Sequence, residues 1–141
     1  MKAYATFLLA GSALVLAACG SDEVVVTAPV VEVVPAEYTV YFGFNEASLT
    51  PTGAQTVAEA SGAAMTSSSV SVVGHTDTVG SVSYNQALSE ARAATVVGAM
   101  VGNGVNPAII TASGRSELDL AVPTADEVRE ARNRRVEIGL N

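Results

Sequence analysis

Gly74-His75-Thr76-Asp77-Thr78-Val79-Gly80, followed by Tyr84-Asn85-Gln86-Ala87-Leu88-Ser89-Glu90-Ala91-Arg92-Ala93, is where the chain changes its periodicity. Upstream, Val70 to Val73 is a short run rich in β-branched residues and reads as a strand. Downstream, a helix begins near Ser81 to Ser83, with Gln86 three residues after Ser83 as a capping box. It continues to about Val101 and stops at Gly102-Asn103-Gly104, a C-cap signal. The segment between glycines 74 and 80 is therefore a strand-to-helix loop. It is not a phosphate loop, because no Gly-Lys-Ser/Thr follows it.

The same pattern extends outward in both directions. Tyr38 to Phe42 reads as a strand, and Thr50 as an N-cap with Pro51 at the first helical position. That helix is expected to run to about Ala64, with Ala54, Val57, Ala58 and Ala60 facing inward. Ser67 to Ser69 is a polar loop. Ile109 to Ala112 is a third strand, Pro123 to Ala131 a loop with one helical turn, and Arg135 to Leu140 an alternating last strand. The order βαβαβ(α)β predicts an α/β (α+β) sandwich in which helices cover one small mixed sheet.

Asp77 falls in the loop just after a strand. Asn85, Leu88, Ser89 and Arg92 recur at i, i+3, i+4 and i+7, so they share one helix face. An aspartate and an arginine can therefore flank one cleft. Asp77 would accept an ammonium and Arg92 would grip a carboxylate with its fork, which suits a zwitterionic amino-acid end group. Spacing alone also allows a structural Asp77–Arg92 salt bridge, and by itself favours it. His75 and Asp77, two apart on an extended segment, are expected to point alike. No well-placed serine or cysteine nucleophile accompanies them, so no catalytic residue is assigned. Asn133-Arg134-Arg135 either meets ligand or acidic residues or serves structurally at the sheet rim.

Composition narrows the function classes. The 141 residues suit one modest domain with appendages, and 49% hydrophobic against 15% charged content favours a packed core over disorder. A formal net charge of -7 argues against a nucleic-acid partner, which would require a basic surplus. The single lysine is Lys2, and the other cations are arginines at 92, 115, 129, 132, 134 and 135. One cysteine and one histidine leave no Cys/His cluster with metal-ligand spacing, so neither a metal nor another cofactor is expected.

The N-terminus reads as an address. Lys2 precedes a small-residue apolar run from Ala3 to Ala18, somewhat short for a spanning helix. Its end, Leu16-Ala17-Ala18-Cys19, resembles a bacterial lipobox. The resemblance implies cleavage after residue 18 and acylation of Cys19, with the lipid chains anchoring the protein in a membrane. Gly20 follows where an inner-membrane retention aspartate commonly stands, so the outer membrane is the expected destination, with the domain facing the periplasm. Residues 19–37 then read as a tether, interrupted by Pro29 and Pro35, of up to about 60 Å when stretched. The alternative is that Val24 to Val26 and Val30-Val31, being β-prone, add to a sheet edge.

Residues 38–141 resemble the OmpA-like C-terminal domain family, also found in peptidoglycan-associated lipoproteins. The matching pieces are Val40-Tyr41-Phe42-Gly43-Phe44, His75-Thr76-Asp77 with Gly80, Tyr84-Asn85 through Leu88-Ser89 to Arg92-Ala93, Gly104-Val105, Pro123-Thr124, and Asn133-Arg134-Arg135-Val136-Glu137-Ile138. The resemblance implies a non-enzymatic binding domain. In it Asp77 and Arg92 hold the amino and carboxylate groups of diaminopimelate in the peptidoglycan stem peptide, and Phe44, Asn85 and Leu88 line the pocket. The family often has an aspartate where this chain has Asn45, and an amide there still accepts a hydrogen bond. Peptidoglycan is thus the expected partner. The alternative roles are a hub of the Tol system that also binds a periplasmic β-propeller protein, and a wall-processing enzyme.

Overall fold

The computed structural model describes residues 36–141. The cleavage site, Cys19 and nearly all of the tether lie outside the described residues. Six principal elements follow one another: β1 (Ala36–Tyr41), α1 (Pro51–Ala64), β2 (Val70–Gly74), α2 (Val82–Gly102), β3 (Ile110–Gly114) and β4 (Arg135–Leu140). Single 3-10 turns at Pro107–Ile109 and Ala131–Asn133 precede β3 and β4.

The strands form one mixed sheet in the order β1-β4-β2-β3. Strand β4 runs antiparallel to both β1 and β2, whereas β2 and β3 are parallel with α2 as their crossover. Alternation along β4 sends Val136, Ile138 and Leu140 into the core and leaves Glu137 exposed. Val40, Val70 and Val72 join them from the neighbouring strands. Both helices pack on the sheet and on each other, contributing Val57, Ala60 and Ala64 from α1 and Ala93, Val96 and Met100 from α2.

Helix α1 starts as its sequence predicts. Thr50 is extended (φ −76°, ψ 164°) and its hydroxyl accepts from Gly53 N at 3.0 Å, with Pro51 in the first turn. Its buried face differs from expectation. Gly53, Val57, Ala60, Ser61 and Ala64 are buried, while Ala54 and Ala58 are exposed. An alanine-rich helix has little contrast between faces, so Val57 sets the phase by packing.

The N-cap of α2 is Ser81, which accepts from Tyr84 N at 3.2 Å. The capping box at Ser83 does not form, because the Gln86 amide instead donates to Glu90 (2.8 Å) and to Gly114 O (2.9 Å). The C-terminal stop holds: Asn103 caps the helix and Gly104 takes φ +102°, a left-handed conformation that glycine adopts without penalty.

Two glycines bring α2 down onto the sheet. Gly74 and Gly114 are partners in the β2–β3 register. A Cβ on Gly74 would overlap the Ser89 carbonyl, and one on Gly114 would overlap Ser89 Oγ and Glu90. Their bare backbones let the buried Ser89 sit at the strand ends, where its hydroxyl accepts from Ser116 N at 3.0 Å. That close approach sets the height of the α2 face carrying Asn85 and Arg92.

Candidate functional site

The loops leaving β1 and β2 meet the first half of α2 around a cavity of about 220 Å³. It is lined by Phe44, Asn45, Asp77, Val79, Gly80, Tyr84, Asn85, Leu88 and Arg92. All six residues singled out from the sequence for ligand contact (Phe44, Asn45, Asp77, Asn85, Leu88 and Arg92) therefore meet in one place. An opening of this size suits an amino-acid head group better than a large ligand.

Arg92 is almost fully buried, and three of its donors go to backbone carbonyls. Nε donates to Glu46 O at 2.7 Å, one terminal nitrogen to His75 O at 2.9 Å, and the other to Gly43 O at 3.1 Å. Glu46 N closes back on Gly43 O at 3.2 Å, so Arg92 holds both ends of one turn. Phe44 and Asn45 form the crown of that turn, and Asn45 takes φ +57°, a left-handed conformation that asparagine tolerates well. Arg92 also lies 5.5 Å from the centre of the Phe42 ring. Burial pulls its pKa down to about 10, against the opposing charge of Asp77. The guanidinium therefore remains cationic at neutral pH.

Asp77 does not pair with Arg92. Its Oδ2 receives Arg134 at 3.1 Å, and its Oδ1 accepts from Val79 N at 3.3 Å. Arg134 is fixed in turn by Phe42 O at 3.1 Å. The structural Asp77–Arg92 bridge that spacing allowed is thus replaced by two separate arrangements, with the aspartate on Arg134, the residue before β4, and Arg92 on loop carbonyls. Asn85 is buried and donates to Val79 O at 3.0 Å and to Glu117 Oε2 at 2.6 Å. The Tyr84 hydroxyl donates to Asn45 Oδ1 and closes one side of the opening.

The Asn133-Arg134-Arg135 triplet divides its work. Asn133 is buried and bridges Val122, receiving its N–H at 2.8 Å and donating to its carbonyl at 2.9 Å. Arg134 reaches Asp77, while Arg135 turns to Glu137 at 2.7 Å and to Asp119 O at 3.3 Å. His75 and Asp77 do not point alike as expected. The His75 ring is buried 3.6 Å from Glu137, with neither nitrogen hydrogen-bonded, whereas Asp77 faces the cavity. Burial, then Arg135, lowers the His75 pKa against the pull of Glu137. Among the described residues, no group of three His, Cys, Asp or Glu side chains is placed to hold a metal ion.

Sequence reasoning left out Val79, Gly80, Tyr84 and Glu117. Tyr84 was within reach, since it lies four residues before Leu88 on the same helical stripe. Glu117 carries no sequence signal, because its link to Asn85 depends on how the loop after β3 folds back.

Comparison with known proteins converges on this fold and this region. The OmpA family model matches residues 41–134, which include every residue lining the cavity. Outer membrane porin F of Pseudomonas fluorescens is 39% identical over 112 residues, covering 78% of this chain and 34% of its own length. Outer membrane protein A of Bordetella avium is 35% identical over 100 residues, covering 70% of this chain and 52% of its own. The chain thus spans about a third to about half the length of these relatives. Among solved structures, the peptidoglycan-associated lipoprotein from Burkholderia pseudomallei superposes with a TM-score of 0.68 at 25% identity, covering 74% of this chain and 90% of that one. The cell wall anchor of the T6SS from Pseudomonas aeruginosa gives 0.62 at 28% identity, covering 75% and 80%. The chain belongs to the OmpA family.

Proposed function

We propose that this protein is an outer-membrane lipoprotein that binds peptidoglycan without cleaving it, through the diaminopimelate of the stem peptide. The observation that carries the reading is the convergence of Asp77 and Arg92, of opposite charge and separate anchorage, on one amino-acid-sized cavity. A guanidinium has five N–H donors, and the three carbonyl bonds leave two for a ligand carboxylate. Asp77 receives the ligand ammonium beside Arg134. Phe44 and Leu88 supply apolar walls, and Asn85 and Asn45 supply amide groups. Similarity to a peptidoglycan-associated lipoprotein and to a cell wall anchor supports the same reading. Cys19 carries the lipid, and residues 19–37 link it to the binding domain.

The test is co-sedimentation with purified sacculi. Hydrogen bonds to charged groups contribute roughly 1.5–3 kcal/mol, so Asp77→Asn is expected to weaken binding about tenfold while keeping an acceptor for Arg134. Unchanged binding by a folded Asp77→Asn would remove the aspartate from the site. Release of soluble muropeptides by the active protein, absent after heat denaturation, would show an enzyme instead. Cys19→Ser is expected to lose labelling by a fatty-acid analogue. A hub role in the Tol system shares this pocket, and pull-down of a β-propeller partner from a solubilised envelope separates the two.

A further inference from the structure

Thr78 is buried beside the pocket and serves a segment distant in sequence. Its hydroxyl donates to Ala125 O at 2.7 Å, accepts from Val128 N at 3.1 Å and lies 3.1 Å from the Thr124 hydroxyl. Its carbonyl accepts from Glu127 N at 2.9 Å, and the Glu127 carboxylate accepts from Gly80 N at 3.1 Å. Residues 124–128 are thereby laced to the pocket loop. Glu127 holds φ +61° to make these bonds, a conformation that non-glycine residues keep only when their surroundings enforce it.

The lacing delivers Arg129. Its guanidinium carbon lies 3.6 Å from the centre of the Phe44 ring, and Phe44 lines the pocket. Arg129 itself stands outside that immediate lining and is exposed. No ion pair among the described residues uses it. A guanidinium resting on an aromatic face keeps its N–H donors at its edge, oriented before any ligand arrives. The diaminopimelate head group already has Asp77 and Arg92. A further fixed cation next to the pocket suits an additional anion, and the planar fork suits a carboxylate.

We propose that Arg129 is a specificity-determining residue that reads a second carboxylate of the bound peptide, on the residue joined to diaminopimelate; the proposal rests on the pocket being a diaminopimelate site. The experiment uses the detergent-solubilised full chain and three probes in calorimetric titration. The probes are free diaminopimelate, a γ-glutamyl-diaminopimelate dipeptide with a free α-carboxylate, and the same dipeptide with an α-carboxamide. Because Arg129 is exposed, the expected preference is moderate, about fivefold for the carboxylate dipeptide, and it shrinks as salt is raised. Arg129→Gln is expected to bind the two dipeptides equally. Equal affinities in the unaltered protein, or a preference that survives Arg129→Gln, overturn the proposal while leaving the diaminopimelate site standing. Failure of all three probes to bind overturns the diaminopimelate reading itself, and this proposal with it.

Discussion

Helices α1 and α2 cover the same sheet, yet they bury different chemistry. The inward face of α1 is Gly53, Val57, Ala60, Ser61 and Ala64, and its one buried hydroxyl, Ser61, is satisfied within the helix by Val57 O at 2.7 Å. The second half of α2 is similar, burying Ala93, Val96 and Met100. The first half of α2 buries Asn85, Ser89 and Arg92 instead. These polar groups bond mostly to loops rather than to their own helix, chiefly the loops after β1 and β2 that form the cavity and also the loop after β3. Burying an arginine is costly unless its donors are used. One end of the sandwich is therefore an ordinary apolar core, while the other is a polar frame that organises loop backbone.

The contrast breaks most visibly at Arg92. Arg92→Ala would strip the side-chain donor from Glu46 O and His75 O, each a loss of about 1–3 kcal/mol where no water replaces it, and would leave Gly43 O with Glu46 N alone. Urea unfolding is expected to show a loss of several kcal/mol, and sacculus binding to fall at least tenfold. Arg92→Lys should recover little of either, because an ammonium cannot span three acceptors in a plane. A normally stable Arg92→Ala that merely fails to bind would show the frame to be unnecessary. At Gly74 the expected effect is next in size. Gly74→Ala drives a methyl into the Ser89 carbonyl, for about 3 kcal/mol of destabilisation measured by the same unfolding.

A smaller effect concerns pH. His75 sits at the polar end, facing Arg135 and Glu137 from β4 and Arg115 and Asp119 from the loop after β3, and its pKa is held below 6.5 mainly by burial. The folded domain keeps the imidazole neutral where the unfolded chain would protonate it. Stability is therefore fullest above about pH 6.5 and declines as pH falls through and below that value. Thermal unfolding between pH 7.5 and 5.5 should show this decline, and His75→Gln should flatten it. An unaltered slope in His75→Gln would assign the pH response to other groups. The smallest effect sharpens the comparison from the opposite side. A Cβ at Gly62 on α1 meets nothing within 4 Å, so Gly62→Ala should stabilise the domain by about 0.5–1 kcal/mol.

The elements themselves were readable because their ends carry local chemistry. Thr50-Pro51 starts α1, Gly104 ends α2, and the alternation of residues 135–140 marks β4 from end to end. The six pocket residues were readable through motif resemblance together with the helix face from Asn85 to Arg92. What failed depended on tertiary choice. Ser81 and Ser83 competed for one cap, and Gln86 was drawn away by Gly114 O. The partner of Asp77 is Arg134, 57 residues away in sequence, so no spacing rule could select it over Arg92. The alternation expected to align His75 with Asp77 ends with β2 at Gly74, before either residue, so the strand pleat does not govern them.

The strand register has a mechanical consequence. Ala36 pairs with Leu140, which also pairs with Val70, whereas Tyr41 pairs with Arg135 at the far end of β1. The cavity lies beyond that far end, on the loops that continue from Tyr41 and Gly74. Under the proposed tethering role, tension enters at Ala36 and is resisted at Phe44 and Asp77, some 20 Å away along a six-residue strand. The pull then runs parallel to β1 and loads its ladder with β4 in shear, so that the hydrogen bonds must yield together. Attachment at the pocket end would instead peel them apart one at a time. The chain enters the sheet at the end that makes an edge strand hardest to strip.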